Sequence, residues 1–165
     1  MARAAVEVEV VIDIDREVDA VFAFVAAPEN ATRFSSVVVE ARRTSTGPIA
    51  AGSSATLRCQ TLGRAFELQG RVQRYVPNRR FVLETTAGPY HLEVDVTFAP
   101  RAGGTRLTSV VRGRSRGVLR FADSLLRTVA TAQARQAVEA LKEVVEREPP
   151  RTARRKLAAR RKLAT

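Results

Sequence analysis

Valine and isoleucine alternate with charged residues at the start of the chain, on the even positions from Val6 to Ile14. Acidic residues, including Glu7 and Glu9, hold most of the odd positions between them. Because successive side chains of a strand point to opposite faces, this period of two predicts a β-strand with one buried face.

A change of period follows this strand. Apolar residues now recur three and four positions apart, which predicts a short helix, and Asp15 is placed to cap it. A helix does not continue through Pro28, so a second short helix is predicted from Pro28 to Phe34. The stripe of the first helix is Val18, Val21, Phe22 and Val25.

Six further strands are predicted between these helices and the last third of the chain. Residues that favour turns, chiefly glycine, proline and asparagine, separate them, and short turns between consecutive strands indicate an antiparallel meander. The predicted strands are Val37–Thr44, Ser54–Thr61, Arg64–Tyr75, Arg79–Thr86, Tyr90–Phe98 and Thr105–Arg114.

Beyond Gly117 the helical period returns and persists until Pro149, which ends the pattern. The segment predicts one amphipathic helix of about 30 residues, far longer than the average helix. Strands and helices are thus segregated along the chain, which indicates an α+β fold in which a curved sheet of about seven strands wraps this helix. A helix crossing a curved sheet leaves room for a cavity beside it.

Positive charge is concentrated at the end of the chain. The 165 residues carry a formal net charge of +11, of which +7 lies in residues 149–165, leaving +4 for the remainder. We therefore predict one domain over residues 1–148 and a basic tail over residues 149–165. The six-residue unit ARRKLA occurs twice in this tail, and like charges in such a run repel one another and favour disorder. The predicted anion-binding residues are Arg154, Arg155, Lys156, Arg160, Arg161 and Lys162.

Several short segments follow one another in a characteristic order and spacing: Val11–Ile14, Glu17–Phe24, Pro28–Asn30, Gly47–Pro48, Tyr75–Phe81, Gly88–Pro89 and Thr97–Arg106. Together they resemble the START-like or Bet v 1-like (SRPBCC) superfamily, which includes polyketide cyclases and dehydrases. The resemblance covers about residues 6–147 and implies a helix-grip fold with an internal cavity for a small hydrophobic molecule such as a lipid, an isoprenoid or a polyketide.

The residues predicted to contact the ligand are those at the alternate strand positions that face inward, together with residues on the apolar stripe of the long helix. Alternation does not separate a cavity wall from a packed core, so core packing is the alternative role for most of them. These residues are Phe66, Leu68, Leu83, Tyr90, Leu92, Val94, Ser109, Phe121, Leu125 and Val129.

Few inward positions offer chemistry for catalysis. A cyclase or dehydrase needs a general acid or base beside the reacting carbon, and Tyr90 and Ser109 are the candidates, since no inward pair of carboxylates is present. Cys59 is interpreted as a core thiol, and His91, the only histidine, as a residue of the solvated face. No metal site and no cofactor are predicted.

The leading hypothesis is binding or transport of a small hydrophobic ligand by a non-catalytic or weakly catalytic protein. One alternative is a polyketide cyclase or dehydrase. Another is an interaction protein whose tail contacts nucleic-acid phosphates or an anionic membrane. The lone cysteine and the lack of a long apolar run in Met1–Ile12 lead us to expect a soluble, cytoplasmic protein, either a monomer or a homodimer.

Overall fold

The computed structural model describes residues 6–116 and 123–149. Within these ranges a strand, a helix, a 3₁₀ turn, a second helix, six strands and a long helix follow one another, which confirms the predicted α+β class. The helices are α1 (Val18–Ala26), α2 (Ala31–Phe34) and α3 (Asp123–Arg147), with the 3₁₀ turn at Pro28–Asn30. The strands are β1 (Val6–Ile14), β2 (Val38–Arg43), β3 (Ser54–Thr61), β4 (Arg64–Val76), β5 (Arg80–Ala87), β6 (Tyr90–Arg101) and β7 (Gly104–Ser115).

All seven strands form one antiparallel sheet in the order β1-β7-β6-β5-β4-β3-β2. Neighbours from β2 to β7 are consecutive in the chain, as a meander requires, and β1 joins the meander beside β7. A register shift in β4 between Val72 and Arg74 changes the parity of the strand. For that reason Tyr75, and not Arg74, shares the inner face with Val72 and Phe81.

The helices α1 and α3 cover the concave face of the sheet at the end where β1 leads into α1. Ile14 of β1 and Leu107 of β7 are fully enclosed there, together with Leu141 of α3. The ring of Phe22 in α1 meets Phe98 and Tyr75 edge to face, with centroids 5.1 and 5.2 Å apart. We call this region the closed end.

Polar contacts attach the last turns of α3 to the segment that follows β1. Glu146 accepts a hydrogen bond from the backbone N–H of Asp15 at 2.8 Å, and Lys142 donates to the carbonyl of Asp13. Arg16 donates to the carbonyls of Glu146 and Glu148. The C-terminal end of α3 is therefore fixed to the closed end.

These contacts also correct the predicted start of α1. Asp15 does not cap the helix, because residues 15 and 16 connect β1 to α3 and α1 begins only at Val18. Glu17 is the N-cap residue and makes no side-chain capping bond. The predicted long helix is found as α3, with 25 residues, and the first part of its predicted stripe lies outside the described residues.

On the convex face of the sheet, charged side chains of neighbouring strands form ion pairs. Arg112 on β7 bonds to Glu7 on β1 and to Glu93 on β6, at 2.8 Å in both cases. Arg80 holds Asp95 through two hydrogen bonds of 2.9 and 2.6 Å. No helix in the described part of the chain has the length and apolarity needed to span a membrane.

Candidate functional site

The concave face changes character along the strands, away from the closed end. Toward Tyr90 and the β3–β4 turn, several apolar side chains on the concave face remain partly exposed, although others there, such as Val8 and Leu68, are buried. A fully packed core would enclose them, so α3 leaves part of this surface uncovered. We call this region the open end, and it is marked by Phe66, Leu83, Leu92, Val94 and Val111.

Two glycines shape the floor of the open end. A β-carbon at Gly113 would stand 2.7 Å from Leu92 Cδ2, and one at Gly70 would stand 3.3 Å from Leu83 Cδ1. Both leucines therefore lie flat against the backbone of a neighbouring strand. Because these two positions are glycine, Leu92 and Leu83 can lie close to the sheet, which leaves more space between the sheet and α3.

An aromatic pair borders the open end. The rings of Phe66 on β4 and Tyr90 on β6 are 5.2 Å apart between centroids and meet edge to face, at 70°. Edge-to-face contact stabilises the pair beyond its buried area. Both residues are only partly buried, so they form a rim on which an apolar molecule would find ring surface.

The middle of α3 makes two hydrogen bonds with residues outside the helix. Gln133 donates a 2.7 Å hydrogen bond to the Thr61 hydroxyl at the end of β3, and Gln136 accepts one from the backbone of Ser36. These two bonds connect the middle of α3 to the far side of the sheet. Val129 is partly buried, whereas Leu125 is 55% exposed.

The hydroxyl groups on the concave face fall into two classes. Thr85 accepts a hydrogen bond from the Leu92 backbone N–H and donates one to the Tyr90 carbonyl, so its hydroxyl continues the β5–β6 pairing. Ser109 and Ser115 on β7 are also buried, yet neither hydroxyl has a hydrogen-bond partner among the described residues.

Cys59 and His91 occupy the positions expected of them. Cys59 is enclosed on the concave side, and its burial raises the pKa of the thiol to about 11, which disfavours the reactive thiolate. His91 lies on the convex side, 3.3 Å from Glu84 and 3.5 Å from Arg116. Among the residues that the structure describes, no group of three or more acidic, histidine or cysteine side chains is arranged to hold a metal ion.

A family model described as polyketide cyclase/dehydrase and lipid transport matches residues 5–146. The chain belongs to this family. The match spans the sheet and nearly all of α3. A comparison with curated proteins finds no match.

Solved structures show the same fold as this family member at low sequence identity. TTHA0849 from Thermus thermophilus aligns with a TM-score of 0.73 and 14% identity, over 84% of this chain and 96% of its own. A START superfamily protein from Mycobacterium smegmatis gives 0.72 and 13%, over 85% and 97%. The ZhuI aromatase/cyclase from Streptomyces sp. R1128 gives 0.69 and 15%, over 86% and 93%. The START-like, helix-grip prediction is confirmed.

In this family member, most of the residues that alternation along the strands predicted to face inward lie on the concave face. Phe66, Leu83, Leu92 and Val94 face the open end, while Leu68 is buried under the neighbouring turn beside Gly88. Phe121 and the six basic tail residues lie outside the described residues, so their predicted roles stay predictions.

Sequence reasoning missed two contributors. Ser115 lies one residue beyond the predicted end of its strand, and its inward parity would have revealed it had the strand been drawn longer. The contact between Gln133 and Thr61 joins residues 72 positions apart, and nothing in the local pattern indicates it.

Proposed function

We propose that the protein binds a small hydrophobic ligand between the concave face of the sheet and α3, at the open end. The observation that carries the proposal is the partly exposed apolar surface on the inner face of β5, β6 and β7, whereas the inward Val6 and Val8 of β1 are buried. Phe98 and Leu107 are buried at the closed end, whereas Val94 and Val111, further along the same strands, keep exposed surface. Apolar surface that faces inward without being covered is typical of a ligand site.

The family and the neighbours support this proposal. The family's description includes lipid transport, and one structural neighbour is an aromatase/cyclase. The fold shared with these proteins provides a curved sheet, a long helix and the surface between them. The family and the fold therefore support a hydrophobic ligand in general. Whether this ligand is a lipid, an isoprenoid or a polyketide is a question for experiment.

The residues of the site favour ligand binding without catalysis. Inward of the rim of Phe66 and Tyr90, the described concave positions carry neither a histidine nor a carboxylate. A general acid or base of ordinary strength is thus missing from that surface. The cyclase alternative would rest on Tyr90 and Ser109 alone, and Tyr90→Phe would then abolish turnover of a cyclisable polyketone.

Filling the open end tests the proposal directly. Val94→Phe adds volume on the concave face, and Thr108→Phe adds the same group on the convex face of the adjacent strand. Native mass spectrometry of the purified protein is expected to show an apolar adduct that Val94→Phe removes and Thr108→Phe retains. Binding of naphthalene, followed by its fluorescence, is expected to weaken at least about tenfold in Val94→Phe alone. Equal binding by both variants would contradict the proposed location.

A further inference from the structure

Ser109 carries a buried hydroxyl group that no residue of the described ranges satisfies. It lies midway along β7, paired with Val10 of β1 on one side and Val96 of β6 on the other, and it faces inward. Its exposure is only 7%, and no described residue forms a hydrogen bond with its Oγ. A polar group withdrawn from water without a partner opposes folding, so native proteins seldom keep one without a reason.

Three of the four other buried polar residues in the described ranges have hydrogen-bond partners within the fold. Thr105 donates to the carbonyl of Arg16 at 2.7 Å, Thr85 bridges β5 and β6, and Asp95 is held by Arg80. Of the five buried polar residues in the described ranges, only Ser109 and Ser115 are without a partner. Both point to the concave face, on which the proposed ligand would lie.

The described strands around Ser109 carry no charged side chain on their concave face. Inward of the rim, the described concave positions of β1 and of β3 to β7 carry no charged side chain. Glu93 and Arg112 lie on the convex face, where they form an ion pair with each other. A carboxylate or ammonium group in the concave space would lose its hydration without gaining a counter-ion.

We propose that the ligand is an uncharged lipophile carrying a hydroxyl or carbonyl oxygen, and that this oxygen forms a hydrogen bond with Ser109. Ser115, six residues along the same face and opposite Tyr90, offers a second polar contact nearer to the rim. This inference rests on the proposed binding function and adds to it the chemical class of the ligand. It disfavours fatty-acid anions and other ionised lipids as occupants.

Three matched probes test the inference on the full chain: naphthalene, 2-naphthol and 2-naphthoate share one ring system and differ in a single group. Dissociation constants are measured at pH 7 for the unmodified protein, Ser109→Ala and Ser115→Ala. Ser109→Ala is expected to weaken binding of 2-naphthol by about three- to tenfold and to leave naphthalene within about twofold. 2-Naphthoate is expected to bind most weakly to every form. Thr108→Val, on the convex face beside Ser109, is the matched control and changes none of the three constants.

The outcomes separate this inference from the proposed function. Retained naphthalene binding shows that Ser109→Ala is folded, so an unchanged affinity for 2-naphthol in that variant overturns the role of Ser109 while the cavity stands. A loss seen only in Ser115→Ala also overturns it. Binding of 2-naphthoate as tight as that of 2-naphthol overturns the claim of an uncharged ligand. Failure of all three probes to bind overturns the proposed function together with the inference.

Discussion

Leu92 lies directly over Gly113 of the neighbouring strand, where a β-carbon would stand 2.7 Å from Leu92 Cδ2. The atom in the way is the end of a flexible side chain, so Gly113→Ala would turn Leu92 away from the backbone and toward the space under α3. Stability is expected to fall by only about 1 kcal/mol, whereas naphthalene affinity falls roughly fivefold because the displaced side chain takes up ligand volume. Chemical denaturation and probe titration measure the two effects, with Thr108→Ala as control.

Gly104 lies in a different kind of contact, and its replacement is expected to affect stability. A β-carbon there would stand 2.1 Å from the carbonyl oxygen of Ile14, which belongs to the backbone of β1 and cannot move without disturbing the β1–β7 pairing. Gly104→Ala is expected to lower the free energy of unfolding by about 3 kcal/mol. Gly103→Ala, with a φ of +81° but nothing within 4 Å, should cost about 1 kcal/mol. A smaller loss for Gly104→Ala than for Gly103→Ala would refute this account.

Alternation along the chain was sufficient to predict the sheet and most of the concave face, because side-chain direction in a strand depends on parity alone. It does not reveal the register shift in β4, which places Tyr75 on the inner face with Val72. The predicted cap at Asp15 is wrong, because the backbone N–H of Asp15 is bonded to the distant Glu146. Thr85 also carries an inward hydroxyl, and only the pairing of β5 with β6 shows that this hydroxyl is already hydrogen-bonded within the sheet. Contacts across the chain decide which inward groups remain free to meet a ligand.

Gln133 is expected to control how fast a ligand enters and leaves. Its hydrogen bond to Thr61 is a direct link between α3 and the end of β3 at the open end. Gln133→Ala should raise the dissociation rate of naphthalene about threefold, measured by stopped-flow fluorescence, while the free energy of unfolding changes by less than about 1 kcal/mol. Thr131→Ala, which removes only a bond to Arg127 within α3, should leave the rate unchanged. Equal dissociation rates of naphthalene from Gln133→Ala and Thr131→Ala would show that the hydrogen bond between Gln133 and Thr61 does not control ligand release.

Low pH is expected to weaken the ionic contacts at the closed end and so to lower the free energy of unfolding. The pKa of Asp13 is lowered by its hydrogen bonds with Arg106 and by the charge of Arg101, and the pKa of Glu146 is lowered by the backbone N–H of Asp15 and by Lys142. Carboxyl groups with a lowered folded-state pKa stabilise the protein above their ordinary values, 3.8 for Asp and 4.5 for Glu, and lose that contribution as the pH falls.

The double variant Asp13→Asn with Glu146→Gln should therefore flatten the dependence of unfolding free energy on pH between about pH 5 and pH 3. Urea denaturation at several pH values measures this slope. Glu9→Gln serves as the control, since Glu9 lies on the same strand as Asp13 but forms no ion pair with a described residue. An unchanged slope in the double variant would show that other carboxyl groups govern the acid response.

The basic tail is expected to act independently of the ligand site. Its predecessor Glu148 is paired with Arg33 and lies at the closed end, away from the rim of Phe66 and Tyr90. Deleting residues 149–165 removes +7 of the +11 net charge, so retention on heparin or on vesicles containing an anionic lipid should be lost at moderate salt. Naphthalene affinity should stay the same. A full-length variant with Gln at Arg154, Arg155, Lys156, Arg160, Arg161 and Lys162 separates charge from length and should behave like the deletion. Elution of the deleted protein at the same salt concentration as the intact one would place the anion-binding charge on the sheet.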